Sequence, residues 1–392
     1  MGILHAYTTS RITSTLKSST VPSTSVPPAN STFYKIDNVR KAENATLFFT
    51  RDPENKHVVM KILNNYKDIR YSLETPEKRQ RCQLDALRWN RKFTKDVYLG
   101  LARVGDPEAR KLIWVGKIIE DATLEDLEPH AEYALLMNEL PRDRRLDTLL
   151  RRDNILSSKY YASVLARYMA EMHRIDNKDE EVVPGAGGRE QWGSIEQLKE
   201  KLHHNFAFVD QPPADNKVIL QSAAFKALRD FCAVLKARLL PIFAQDKHQK
   251  YFEGRVNEGR IRRCHGDLKA RNIWIMPYEA QNNEQPWERV KALDAVDFNP
   301  TYSTIDILSD FAMLVVDVDV RSNAEVANSM LEDYLHLTNQ KNLSARFVLN
   351  YYIVEKAFIG AIVNILYDEK PDLGLAYLRV AERRLEDVKL GR

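Results

Sequence analysis

Apolar and polar positions alternate through Ala45-Thr-Leu-Phe-Phe-Thr50 and again through His57-Val-Val-Met-Lys-Ile-Leu63, with the turn-forming Asp52-Pro-Glu-Asn-Lys56 between them. That pattern is a β-hairpin whose second strand carries Lys61. Residues 97–104, 111–116 and 132–137 read as three more strands, so this part of the chain predicts an antiparallel sheet of about five strands. Between the hairpin and those strands, residues 77–93 place Leu84, Leu87 and Phe93 at helical spacing, with Trp89 beside them. Asn138-Glu-Leu-Pro141 then closes the sheet region, because proline cannot continue the strand.

Past that hinge the period becomes helical. Helices are predicted over 145–152, 157–175, 195–206, 222–243, 304–316, 324–337, 345–367 and 373–388, and residues 177–188, with Pro184 and three glycines, over a loop. Tyr351, Tyr352, Phe358, Ile362 and Leu366 sit at the spacing of a core-facing stripe. The expectation is an α+β chain with a sheet-rich lobe over 37–140 and a larger helical lobe over 141–392.

Residues 1–36 hold no acidic residue, fourteen Ser or Thr, and prolines at 22, 27 and 28. Such a segment buries too little apolar surface to offset its ordering entropy, which predicts a flexible tail. With Arg11 and Lys17 the same composition also matches an organelle transit peptide, the alternative to a cytoplasmic location.

The 392 residues, 44% of them hydrophobic, suffice for two lobes, and a net charge of +3 gives no whole-chain reason to expect nucleic acid. Cys82, Cys232 and Cys264 form no C-x-x-C pair, which argues against a zinc site or a disulfide framework and fits a reducing compartment. No apolar run is read as approaching the roughly 18 residues of a membrane span, so no membrane is expected.

The candidate chemistry lies in Cys264-His-Gly-Asp-Leu-Lys-Ala-Arg-Asn272, set just before the alternating strand Ile273-Trp-Ile275, and in Leu293-Asp-Ala-Val-Asp-Phe298. An Asp (Asp267), a polar ligand five residues on (Asn272) and a further Asp after the next strand (Asp294) is how a phosphoryl-transfer site holds its base and its metal ligands. A lysine fixed on a strand, as Lys61 is, can neutralise phosphates without reorganisation, although strand lysines are mostly solvated. His173, near a helix end, reads as a packed histidine before a catalytic one.

These residues resemble the aminoglycoside phosphotransferase family, which has H-G-D-x-x-x-x-N where protein kinases have H-R-D-x-x-x-x-N. The match is closest to a bacterial branch reading C-H-G-D-L-H-x-R-N and then F-D-x-I-E-F-N. The resemblance runs from about Ala45 to Leu337 and takes in Lys61, Glu77-Lys-Arg79, Asn90-Arg91, Tyr98-Leu-Gly100, residues 137–150 and Ile305-Asp-Ile-Leu-Ser-Asp-Phe-Ala312.

The resemblance implies a bilobal protein-kinase-like fold: a small antiparallel-sheet N-lobe that binds nucleotide and a larger, mainly helical C-lobe with the catalytic loop. By it, Asp267 would be the base, Asn272 and Asp294 would hold Mg²⁺, and Lys61 would contact the ATP phosphates. Met137 and Glu139 would meet the adenine, His265 would brace the loop, Asp310 would cap it, and Glu77 or Asp85 would pair with Lys61. The acceptor would be a hydroxyl of a small polar molecule such as a sugar, an amino alcohol or an aminoglycoside.

Departures from the family pattern are the lack of G-x-G-x-x-G before Lys61, Lys269 where the family has histidine, and a less basic run at Lys356-Ala-Phe-Ile-Gly-Ala-Ile362. A protein acceptor is the second reading. The eleven residues between Asp294 and Asp306, without A-P-E, leave little room for peptide docking. A nucleotide-binding pseudokinase scaffold is the third, and the intact Asp267, Asn272 and Asp294 argue against it.

Overall fold

The computed structural model describes residues 27–28, 30–67, 72–94, 96–105, 112–174, 192–213, 217–278, 285–297 and 300–390. The chain divides into two compact units, one running to Pro141 and taking in Lys291–Asn299, the other made of Arg142–Val290 and Pro300–Arg392. The loop expected over 177–188 and most of the expected tail lie outside the described residues.

The first unit is built on strands β1 (Thr32–Lys41), β2 (Ala45–Arg51), β3 (His57–Leu63), β4 (Tyr98–Arg103), β5 (Leu112–Val115) and β6 (Tyr133–Asn138), with helix α1 (Pro76–Phe93) between β3 and β4. They form a six-stranded antiparallel sheet in the order β4-β6-β3-β2-β1-β5. One strand, β1, starts inside the segment expected to be tail. Tyr34 and Ile36 alternate onto the buried face there, and Phe33, Tyr34 and Lys35 pair with Trp114, Ile113 and Leu112. Ser- and Thr-rich residues ahead of β1 hid this alternation, and the sheet gained a strand.

Both faces of the sheet are covered. Val58, Met60 and Ile62 of β3 join Tyr34, Phe48 and Leu136 on one face. On the other, Leu84 and Leu87 of α1 meet Leu101, Tyr133 and Leu135. Because successive strand residues point to opposite faces, Lys61 belongs to the α1 side. Thr75 caps α1 by accepting the Lys78 amide, Pro76 opens the first turn, and Arg91 and Lys92 close the last, where cations suit the helix dipole.

The second unit contains α2 (Leu146–Arg152), α3 (Ile155–Met172), α4 (Ile195–Asp210), α5 (Ala223–Leu239), α6 (Asp246–Asn257), α7 (Ile307–Arg321), α8 (Ala324–Leu337), α9 (Leu343–Ile362) and α10 (Pro371–Leu390). Its centre is α9, apolar on nearly every side as a fully buried helix should be. Together with the π-turn to Tyr367, α9 reaches a mean hydropathy of 1.3 and is long and apolar enough to cross a membrane, contrary to the sequence expectation. Arg346, Glu355 and Lys356 break the apolar run in sequence, yet its most apolar 18 residues are all buried inside the unit, as in a core helix.

Helix α6 and a short antiparallel strand pair were not anticipated. Helix α6 is mostly polar, but Phe252 anchors it edge-to-face on Tyr351 of α9, with ring centroids 5.2 Å apart. Thr304–Asp306, expected to begin a helix, is instead a strand, β8, paired antiparallel to β7 (Ile261–Arg263). That pairing brings the start of α7 beside the H-G-D loop, which leaves the end of β7.

Candidate functional site

In the helical unit the loop after β7 is held by backbone bonds to α7. Asp310, 1% exposed, accepts the amides of His265 (3.2 Å) and Gly266 (2.8 Å) and faces Nε2 of His173 at 3.3 Å. Burial alone would raise the Asp310 pKa, but the His173 bond, the charges of His173 and His265 and the Gly266 amide outweigh it and hold the carboxyl below its usual range. His173 Nδ1 lies 2.8 Å from the Tyr334 hydroxyl, so the ring takes the tautomer that donates to Asp310. It is a buried structural histidine, as read. Gly266 sits at φ +81°, left-handed backbone where a side chain is strained, and this lets the chain reverse between His265 and Asp267.

Asp267 is 5% exposed, and its own amide donates to His265 Nδ1 at 3.3 Å. Lys269, also buried, donates its Nζ to Asp267 Oδ2. The Asn272 amide group lies 3.1 Å from the Asp267 carbonyl and 3.2 Å from Oδ2. Its nitrogen thus turned to Asp267, Asn272 has its amide oxygen left to offer a ligand. Asp267, Asn272, His265 and Asp310 therefore come together in one unit as a single hydrogen-bonded group.

His173, Cys264 and Asp310 place their ligand atoms within 4.8 Å of one another. Each already has a bond in the protein: the Cys264 thiol points to the Ile305 carbonyl at 3.7 Å, and burial pushes its pKa well up.

In the sheet unit Lys61 Nζ lies 3.5 Å from Asp294 Oδ1. Burial works to lower the Lys61 pKa, but Asp294 and Asp297 outweigh it and keep the ammonium above its ordinary range. The ion pair of Lys61 is thus with Asp294, a correction to the expected Glu77 or Asp85. Helix α1 turns Gln83 toward the strand, with Nε2 donating to the Lys61 carbonyl at 2.8 Å, while Asp85 two residues on is exposed and Glu77 pairs with His130.

Asp294 has φ +64°, a backbone conformation that Asp tolerates better than most residues. A mount built from α1 and β4 fixes it. The Asp294 amide donates to the Tyr98 hydroxyl (3.1 Å), that hydroxyl donates to Asn90 Oδ1 (3.0 Å), and the Ala295 amide reaches the same Oδ1 (2.9 Å). Asn90 and Tyr98 were legible as part of the resemblance but without a role; Asp297 was not singled out at all. The Asp294 side chain remains 66% exposed. The carboxylate here, and in the helical unit the Asn272 amide oxygen, are each a hard donor of the kind Mg²⁺ takes, so each residue by itself suits that ion.

Tyr98→Phe should leave the unit folded and loosen this mount. We expect faster amide exchange at Asp294 and Ala295 with little change in α1; unchanged exchange at both amides would remove Tyr98 from that role.

At the end of β6, Met137 pairs with both Val59 and Tyr98. The Glu139 amide donates to the His57 carbonyl at 3.2 Å, so residue 139 has its carbonyl, not its N–H, to offer a ligand.

No family model matches the sequence, and no curated protein matches it. Solved structures of small-molecule kinases are similar to it, at low sequence identity. An ethanolamine kinase from Plasmodium vivax is 11% identical with a TM-score of 0.44, over 89% of this chain and 81% of that one. An ADP-bound aminoglycoside phosphotransferase is 14% identical with a TM-score of 0.41, over 90% and 95%. A glucosamine kinase is 13% identical with a TM-score of 0.42, over 93% and 96%.

Proposed function

We propose that the protein is an ATP- and Mg²⁺-dependent phosphotransferase acting on a hydroxyl of a small polar molecule, in the cytoplasm. The observation that supports this most directly is the buried Asp267–Asn272 group, in which a carboxylate and an amide five residues apart are fixed on a backbone that Asp310 caps. Asp267 accepts the acceptor's hydroxyl proton as the new oxygen–phosphorus bond forms at the γ-phosphate and the bond to the bridging oxygen breaks, releasing ADP. The Lys269 ammonium lies against the same carboxylate and fixes its orientation.

From the sheet unit, Lys61 neutralises the nucleotide phosphates and the end of β6, around Met137 and Glu139, meets the adenine. Asn272 and Asp294 would each offer an oxygen to Mg²⁺, which when bound would offset phosphate charge. Lys61→Met should raise the KM for ATP by about tenfold or more, as loss of a charge-assisted contact does. A KM within twofold of wild type would take Lys61 out of nucleotide binding.

The deciding experiment is an ADP-release screen over sugars, amino alcohols and aminoglycosides, with Asp267→Asn protein as the blank. One class should stimulate release in the wild type and not in the blank. If no class does so while MgATP still raises the Tm, the nucleotide-binding scaffold is the better reading.

A further inference from the structure

Asp310 and Asp317 lie two turns apart on α7 and therefore on one stripe of the helix. Asp310 receives the amides at the start of the catalytic loop. Asp317 receives one near its end: the Ala270 amide donates to Asp317 Oδ2 at 2.6 Å, in the single turn Ala270–Asn272. Asp317 is 1% exposed, and its carboxylate takes two further donors. Arg321 Nε lies 3.1 Å from Oδ2, and the Tyr377 hydroxyl donates to Oδ1.

Tyr377 comes from α10, far along the chain, and its ring is seated over Gly360 of α9. A Cβ at Gly360 would fall 2.4 Å from the Tyr377 Cδ1, so the ring can occupy this place only because residue 360 has no side chain. The hydroxyl is thereby delivered to a carboxylate that burial has removed from water.

We propose that Tyr377 is a positioning residue for the catalytic loop. By holding one oxygen of Asp317 it leaves the other aligned on the Ala270 amide, and so sets the backbone from which Asp267 and Asn272 project. The inference rests on the phosphotransferase reading of that loop. Without the hydroxyl, the Asp317 carboxylate turns toward Arg321 and the Ala270 amide loses its partner. A displacement of the order of 1 Å at a reacting group is enough to lower a rate by about a hundredfold. Lys61 and Asp294 belong to the other unit and keep the nucleotide contacts proposed for them.

The test uses the full chain and reads ADP release from MgATP with water as acceptor, in the wild type, Tyr377→Phe, Asp317→Asn and Asp267→Asn. Expected for Tyr377→Phe and Asp317→Asn is a kcat lowered by about tenfold to a hundredfold, a KM for ATP within twofold of wild type, and faster hydrogen exchange at the Ala270 amide. A folded Tyr377→Phe protein with unchanged kcat, or with unchanged Ala270 exchange, overturns the proposal. So does a fall in Tm with kcat and KM both intact, which is what a purely structural role would give. Turnover retained in Asp267→Asn would instead strike Asp267, and with it this reading of the loop, from the mechanism, and the Ala270 exchange in Tyr377→Phe would still decide the relay. Should the variants not fold, wild-type exchange decides: the Ala270 amide must be protected as strongly as the amides of α7, and rapid exchange there refutes the relay.

Discussion

Asp267→Asn is expected to lower ADP release by about 10²- to 10⁴-fold, the range a positioned general base contributes, while MgATP still binds. Asparagine keeps the size of the side chain but can neither hold a negative charge nor accept the acceptor's proton. The substitution has a second effect that must be separated from the first. Lys269 is 5% exposed with its ammonium on Asp267 Oδ2, so removing the charge breaks this buried ion pair. Breaking a buried pair in this way typically costs about 3–5 kcal/mol, which would appear as a lower Tm. The double variant Asp267→Asn/Lys269→Met removes both charges and should recover much of that stability without recovering turnover. A folded single variant that releases ADP at the wild-type rate would strike Asp267 from the mechanism. A double variant that regains both stability and turnover would show the loss to be one of folding.

What the sequence made legible was local. The H-G-D loop, its Asn272 and the later Asp294 are recognised by spacing, and the hairpin carrying Lys61 by alternation. Long-range pairings were not legible, because periodicity says which face a residue takes and nothing about its partner. Lys61 meets Asp294 across 233 residues of chain, and the Ala270 amide meets Asp317 across 47. Strand β8 was read as the start of a helix because Thr304-Ile-Asp is too short to show a period; its pairing with β7 is a tertiary decision. One signal was present and unused. Helix α7 is buried from Ile307 to Asp319, and it carries Asp310, Asp317 and Asp319 among Leu, Val, Phe and Met. Carboxylates in so apolar a run must find donors, and those donors are the loop amides, a tyrosine and two arginines.

The largest loss of stability is expected from Asp306→Ala. Arg255 of α6 grips Asp306 with Nε at 2.8 Å and a terminal nitrogen at 2.7 Å, and a further terminal nitrogen bonds Gln340 at 2.5 Å. The two charged side chains are 5% and 0% exposed. Asp306 also begins α7, its Oδ1 accepting the Leu308 amide at 2.9 Å, and it lies in β8, whose pairing with β7 holds the root of the H-G-D loop. Alanine would strand the Arg255 guanidinium, which cannot give up its proton, in a buried site. That costs about 3–5 kcal/mol, and the lost cap adds about 1 kcal/mol. For a unit of this size each kcal/mol moves the Tm by about 2–4 °C, so a fall of roughly 8–24 °C is expected. The charge-free pair Arg255→Met/Asp306→Ala should return most of it, since no buried charge then lacks a partner. Because α7 carries both Asp310 and Asp317, amide exchange at Gly266 and Ala270 should rise together in Asp306→Ala. A Tm within 2 °C of wild type would show that the Arg255–Asp306 pair does not fix the start of α7, and the H-G-D loop that Asp310 and Asp317 hold would then need another anchor.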